Sequence, residues 1–105
     1  MDVEVAPLEE LPDRGGVRVE AAGHRIAVFR IGDDVYAIGD RCSHAEASLA
    51  EGEILDATVE CPRHGAEFDL RTGAARTLPA TRPVPVYRVE VDDRGVVHVF
   101  VEEPS

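Results

Sequence analysis

Short apolar runs broken by glycine and aspartate dominate the first forty residues. Val3 to Ala6, Val17-Arg18-Val19-Glu20, Arg25 to Ile31 and Val35-Tyr36-Ala37-Ile38 are separated by Gly15-Gly16, Gly23 and Gly32-Asp33-Asp34. Runs of this length, rich in β-branched residues and bounded by turn formers, predict strands joined by tight turns. The pattern returns after Pro83, with Val84, Val86, Arg88 and Glu90, then Val96 to Val101, around Asp92-Asp93-Arg94-Gly95. That arrangement predicts a terminal hairpin.

Between these parts, residues 40–82 show no sustained period. Short strands are expected at Ala57-Thr58-Val59-Glu60 and around Glu67-Phe68-Asp69, and single helical turns at Leu8 to Leu11 and Ala45 to Leu49. The expected organisation is one domain over 1–105, with 1–40 and 83–105 as β scaffold and 41–82 as a loop-rich insert. Its 105 residues suffice for one core and leave room for a ligand that crosslinks distant segments to add stability.

Charge narrows the partners. Formal net charge is -10, and all eleven basic residues are arginines. Such a balance argues against nucleic acid and against anionic membrane surfaces, so protein partners are expected. The acids are unevenly spread: 41–82 holds five Arg against seven acids, and the rest of the chain six against fourteen. Acidic pairs such as Glu9-Glu10, Asp33-Asp34, Asp92-Asp93 and Glu102-Glu103 read as solvated charges near turns. The N-terminus has neither the basic n-region nor the apolar h-region of a secretory signal, and no run approaches the roughly 20 apolar residues of a membrane span. A soluble, cytoplasmic protein is expected.

In that compartment two cysteines are poor candidates for a disulfide and better ones for metal binding. Arg41-Cys42-Ser43-His44 supplies a Cys-x-His pair, and after sixteen intervening residues Cys61-Pro62-Arg63-His64 supplies a Cys-x-x-His pair. Each arm offers one thiolate and one imidazole from a tight loop, with Pro62 and Gly65 restricting the second turn. Nitrogen and sulfur donors exclude hard cations and leave zinc or an iron-sulfur cluster. Zinc fingers usually group Cys with Cys and His with His, whereas both arms here are mixed. A cluster with thiolates on one iron and imidazoles on the other needs mixed arms.

With these residues the sequence resembles the Rieske proteins, and more closely the small Rieske ferredoxins of bacterial ring-hydroxylating oxygenase systems. The resemblance rests on Cys42-x-His44, the sixteen-residue gap and Cys61-Pro62-x-His64-Gly65-x-x-Phe68-Asp69, with support from Leu70-Arg71-Thr72-Gly73 and Pro83-Val84-Pro85-Val86. It implies an all-β, Rieske-type antiparallel β-sandwich with a loop-rich cluster-binding subdomain. It also implies one 2Fe-2S cluster, with Cys42 and Cys61 on the buried iron and His44 and His64 on the outer one. The implied role is that of a one-electron carrier, not an enzyme, between a flavin-dependent reductase and a terminal oxygenase. A Rieske-like small subunit of an assimilatory nitrite reductase is the alternative, and a structural zinc module a more distant one.

High-potential respiratory members carry an additional cysteine in each loop, joined as a disulfide; Ala47 and Arg63 stand at those places. Ala66 and Phe68 stand where those members have a Ser and a Tyr that donate hydrogen bonds to sulfur. Losing such donors destabilises the more negative, reduced cluster, so a low potential is implied. A catalytic oxygenase subunit is excluded, because only His24 and His98 remain for a mononuclear iron and no carboxylate-histidine group surrounds them. Those two read as structural or exposed residues, and Phe68 as either a cluster shield or core.

Overall fold

A computed structural model describes residues 1–42, 47–63, 65–76 and 82–101. Nine strands are assigned among them: β1 Asp2–Pro7, β2 Gly15–Ala21, β3 His24–Ile31, β4 Asp34–Gly39, β5 Glu53–Leu55, β6 Thr58–Glu60, β7 Glu67–Asp69, β8 Val86–Val91 and β9 Val96–Phe100. They form a six-stranded sheet in the order β1-β9-β8-β4-β3-β2 and a three-stranded sheet β5-β6-β7, with antiparallel pairing throughout. Three-residue 3-10 turns follow β1 at Leu8–Glu10 and precede β5 at Leu49–Glu51.

Turn chemistry sets the register. Ala21 pairs with His24, and the two residues between them, Ala22 and Gly23, both take positive φ, as a tight hairpin between right-twisted strands requires. Ile31 likewise pairs with Asp34 across Gly32-Asp33, with Gly32 at φ 63°. In the last hairpin the Asp92 carboxylate accepts the N–H groups of Arg94 and Val96 at 2.9 and 3.0 Å. One half of that acidic pair therefore builds the turn.

Strand β3 is the hinge of the architecture. Ile26, Ala27, Val28 and Phe29 are all buried, which an uninterrupted apolar run allows only where both faces are covered. Ile26 and Val28, with Ala37 of β4, pack against Val97 and Val99 of β9. Strand β9 lies three places from β3 in the sheet order, so the six strands must fold over to bring these residues together. Ala27 and Phe29, with Ile38, point the other way and pack against the 42–84 segment, including Val59 and Phe68 of the small sheet. Burying a side chain such as Phe29 contributes roughly 1.5–3 kcal/mol.

The differences from expectation are local. Strand β5 was not anticipated: three residues show no periodicity, and only Ile54 is buried while Leu55 is exposed. Strand β8 starts at Val86, not Val84, because Pro83 and Pro85 lack N–H groups; Val84 donates to Gly73 O at 2.9 Å, and Pro85 O accepts from Gly39 N–H at 2.8 Å. Of the helical turns, Leu8–Glu10 forms; Ala45 and Glu46 lie outside the described residues, and the turn in that region runs from Leu49 to Glu51.

Candidate metal centre

The first arm leaves the end of β4. Gly39 is followed by Asp40, wholly buried, then by exposed Arg41 and buried Cys42. The chain returns on itself, so that Arg41 bridges Ser48, Cys42 donates its N–H to Ala47 O at 3.1 Å, and Leu49 donates to Asp40 O at 2.7 Å. Inside this loop the Asp40 carboxylate accepts the Ser48 hydroxyl at 2.7 Å and the Ala50 N–H at 2.9 Å through one oxygen, Oδ1.

The second arm leaves the end of β6 in the same manner. Cys61 donates its N–H to Ala66 O at 2.6 Å, and Gly65, at φ 74°, donates to Cys61 O at 3.0 Å. Pro62 and Arg63 are exposed at the tip, while Cys61 and Ala66 are buried. In both arms the cysteine N–H bonds the carbonyl five residues on. Cys-x-His and Cys-x-x-His differ in spacing, yet their loops close over the same span.

Cys42 and Cys61 belong to one buried apolar cluster, with Phe29, Leu49, Ala66 and Phe68, and neither is joined in a disulfide. Phe68 thus serves the core on which the cysteines rest. His44 and His64 lie outside the described residues, so the structure brings together the two thiols and leaves the two imidazoles undescribed. The donor set fits an iron-sulfur group: two unoxidised cysteines lie in one apolar interior cluster, where a thiolate requires a countercharge such as ferric iron. Ala47 packs half-buried against the same cluster and Arg63 faces solvent, so neither loop has a second sulfur near its cysteine.

The other two histidines are structural. His24 Nδ1 and the Tyr87 hydroxyl share a hydrogen bond of 2.9 Å, with the rings edge-on. His98 lies between two carboxylates, 2.8 Å from Asp2 through Nδ1 and 2.8 Å from Asp92 through Nε2. Sequence reasoning missed Asp40, whose only signal was an acidic residue directly after an apolar strand. Among the described residues, no helix is long and apolar enough to cross a membrane.

The Rieske [2Fe-2S] domain model matches residues 1–88. The chain belongs to that family. A curated relative, the 3-phenylpropionate/cinnamic acid dioxygenase ferredoxin subunit of Photorhabdus laumondii subsp. laumondii, is 49% identical over 100 residues, covering 94% of this chain and 93% of the relative. Among solved structures, the ferredoxin of carbazole 1,9a-dioxygenase from Nocardioides aromaticivorans IC177 superposes with a TM-score of 0.90 at 39% identity, covering 100% of this chain and 99% of that one. A chain in the complex of reduced oxygenase and oxidized ferredoxin in carbazole 1,9a-dioxygenase also gives 0.90, at 36% identity, covering 99% and 96%. The Rieske chain described here is therefore a 2Fe-2S protein of the electron-carrier kind, and not a catalytic subunit.

Proposed function

We propose that Cys42, His44, Cys61 and His64 hold the cluster, the thiolates on the buried iron and the imidazoles on the outer one. The protein then takes one electron from a flavin-dependent reductase and passes it to a terminal oxygenase in the cytoplasm. The observation that carries this reading is the burial in one apolar cluster of two cysteines not joined in a disulfide, each at the start of a loop closed on the fifth following carbonyl. Support for the oxygenase as acceptor comes from the likeness to a ferredoxin solved with its oxygenase. A six-stranded sheet drawn from residues 2–39 and 86–100, with a smaller sheet from 53–69, supports a single domain in which 1–40 and 83–105 carry an inserted cluster-binding segment at 41–82.

When bound, the cluster supplies a one-electron redox couple. The protein's part is to bury the thiolate side against Phe29, Leu49 and Phe68 and to keep water from it. Ala66 and Phe68 are both wholly buried and offer no hydroxyl to a sulfur, which supports a low potential, around -150 mV at the bottom of the Rieske range.

The test is iron and acid-labile sulfide analysis of the purified protein, with wild type expected to hold two of each per chain. Replacing either cysteine by Ser, or both histidines by Ala, should abolish incorporation. Reduction by a flavin-dependent reductase with NADH, followed by single-turnover delivery to a ring-hydroxylating oxygenase, tests the partners. Stoichiometric zinc without sulfide, or full cluster loading in a Cys42→Ser or Cys61→Ser variant, would overturn the assignment.

A further inference from the structure

We propose that Asp40 is a fixed, buried negative charge that positions the Cys42 loop and lowers the reduction potential of the cluster. This rests on the assignment of Cys42 as a cluster ligand. Among the described residues Asp40 is the buried charged side chain, with no exposed surface. Four hydrogen bonds cross at this residue. Its N–H donates to Arg25 O at 2.9 Å on β3, its carbonyl accepts from Leu49 N–H at 2.7 Å, and its Oδ1 accepts from Ser48 and Ala50 at 2.7 and 2.9 Å. The two ends of the loop that holds Cys42 are thus tied to each other and to the central strand through one residue, by its backbone and its side chain together.

Among the described residues its other oxygen, Oδ2, finds no hydrogen-bond donor, and it is buried. Among the described residues Arg25 faces it, with Nη2 4.0 Å away and a side chain that is 44% exposed. A loop clamp needs only one acceptor oxygen, which an amide would supply equally well. A carboxylate with its second oxygen unbonded in the interior therefore has a use beyond the clamp, and its charge is what distinguishes it from an amide. Cys42 follows two residues later, within about 7 Å of extended chain. A charge in the interior is weakly screened, whereas the half-exposed guanidinium is more strongly screened by the water around it, so the carboxylate dominates the field of the pair at the thiolate and Arg25 offsets only part of it. Reduction adds one negative charge to the cluster, and that field opposes it.

Two substitutions read this with opposite signs. Asp40→Asn keeps Oδ1 as acceptor for Ser48 and Ala50 but removes the charge, so the midpoint measured by voltammetry should rise, with iron, sulfide and the EPR g-values of the reduced cluster unchanged. Arg25→Gln leaves the four hydrogen bonds of Asp40 in place and removes the partly screened countercharge, so the midpoint should fall by a smaller amount. A fully loaded Asp40→Asn protein with the wild-type midpoint, or an Arg25→Gln protein whose midpoint stays or rises, would overturn the proposal. Should Asp40→Asn fail to assemble, the direction of the Arg25→Gln shift decides alone. Wild-type protein lacking iron and sulfide would refute the ligand assignment instead, an outcome distinct from a loaded variant whose potential does not move.

Discussion

Cys61 donates its backbone N–H to the Ala66 carbonyl at 2.6 Å, which fixes the wholly buried Ala66 methyl in the same closed loop as the thiol. A hydroxyl introduced at that methyl starts from a position held by the loop. Ala66→Ser is therefore expected to raise the midpoint by adding a donor to sulfur, and Phe68→Tyr to do the same from the neighbouring strand. Voltammetry on the two variants and the double variant checks this, with the double expected to move furthest. A double variant that holds its cluster at the wild-type midpoint would contradict it.

Gly73 links the insert to the proline-rich segment: its N–H donates to Asp69 O at 2.8 Å, and its carbonyl accepts Val84 N–H at 2.9 Å. Its φ is 74°, and a Cβ there would meet the Val84 carbonyl. Gly95 has nearly the same φ, 78°, with open space around it. Gly95→Ala should cost about 1 kcal/mol from backbone strain alone, and Gly73→Ala about 2–4 kcal/mol, because the crowding adds to it. Urea unfolding of both variants separates the two effects, and equal losses would show that the Val84 contact is relieved at no cost.

The clasp of His98 with Asp92 and Asp2 ties the first strand to the last hairpin. The hydrogen bond to Asp92, then that to Asp2, raises the His98 pKa, while the same bond to His98, helped by the N–H groups of Val96 and Arg94, holds Asp92 well below the usual carboxylate range. The stabilisation from His98 is thus fully present below its unfolded value near pH 6.5 and is lost as pH rises through the raised folded value. That from Asp92 is present above about pH 4 and is lost as pH falls through its folded value. The urea midpoint of wild type should decline from pH 6 to pH 9 more steeply than that of His98→Gln. Parallel curves for the two proteins would remove His98 as the cause.

If His44 and His64 bind the outer iron, each keeps a titratable N–H on its other ring nitrogen, and reduction makes that N–H less acidic. The midpoint should be flat near pH 7 and then fall at alkaline pH by up to about 59 mV per pH unit for each proton taken up with the electron. Voltammetry from neutral to strongly alkaline pH checks this. A constant midpoint across that range would mean that these imidazoles are not exposed ligands.

Much of this molecule is local in origin and so was readable from residue order. The strand runs 25–31, 35–38 and 96–101 announce themselves by short-range apolar patterning, and Gly23, Gly32 and Gly95 sit where the chain must turn with positive φ. The Cys-x-His and Cys-x-x-His pairs are local too, because two ligands from one tight loop need only their spacing. What no local pattern carries is which residues from distant segments cover one another. Ile26 and Ala27 read alike, yet one packs on β9 and the other on the same cluster as the cysteines, because the sheet folds over β3. Asp40 shows in the sequence only as an acid directly after an apolar strand, and it becomes a buried charge because Ser48, Leu49 and Ala50 return to bond it and Arg25 backs it from β3. His98 reads as an isolated histidine until the pairing of β1 with β9 sets Asp2 beside it. Burial and charge pairing are sums over the whole fold, so the sequence determined the candidate ligands and most of the strands, while the tertiary structure decided the surroundings of the two cysteines.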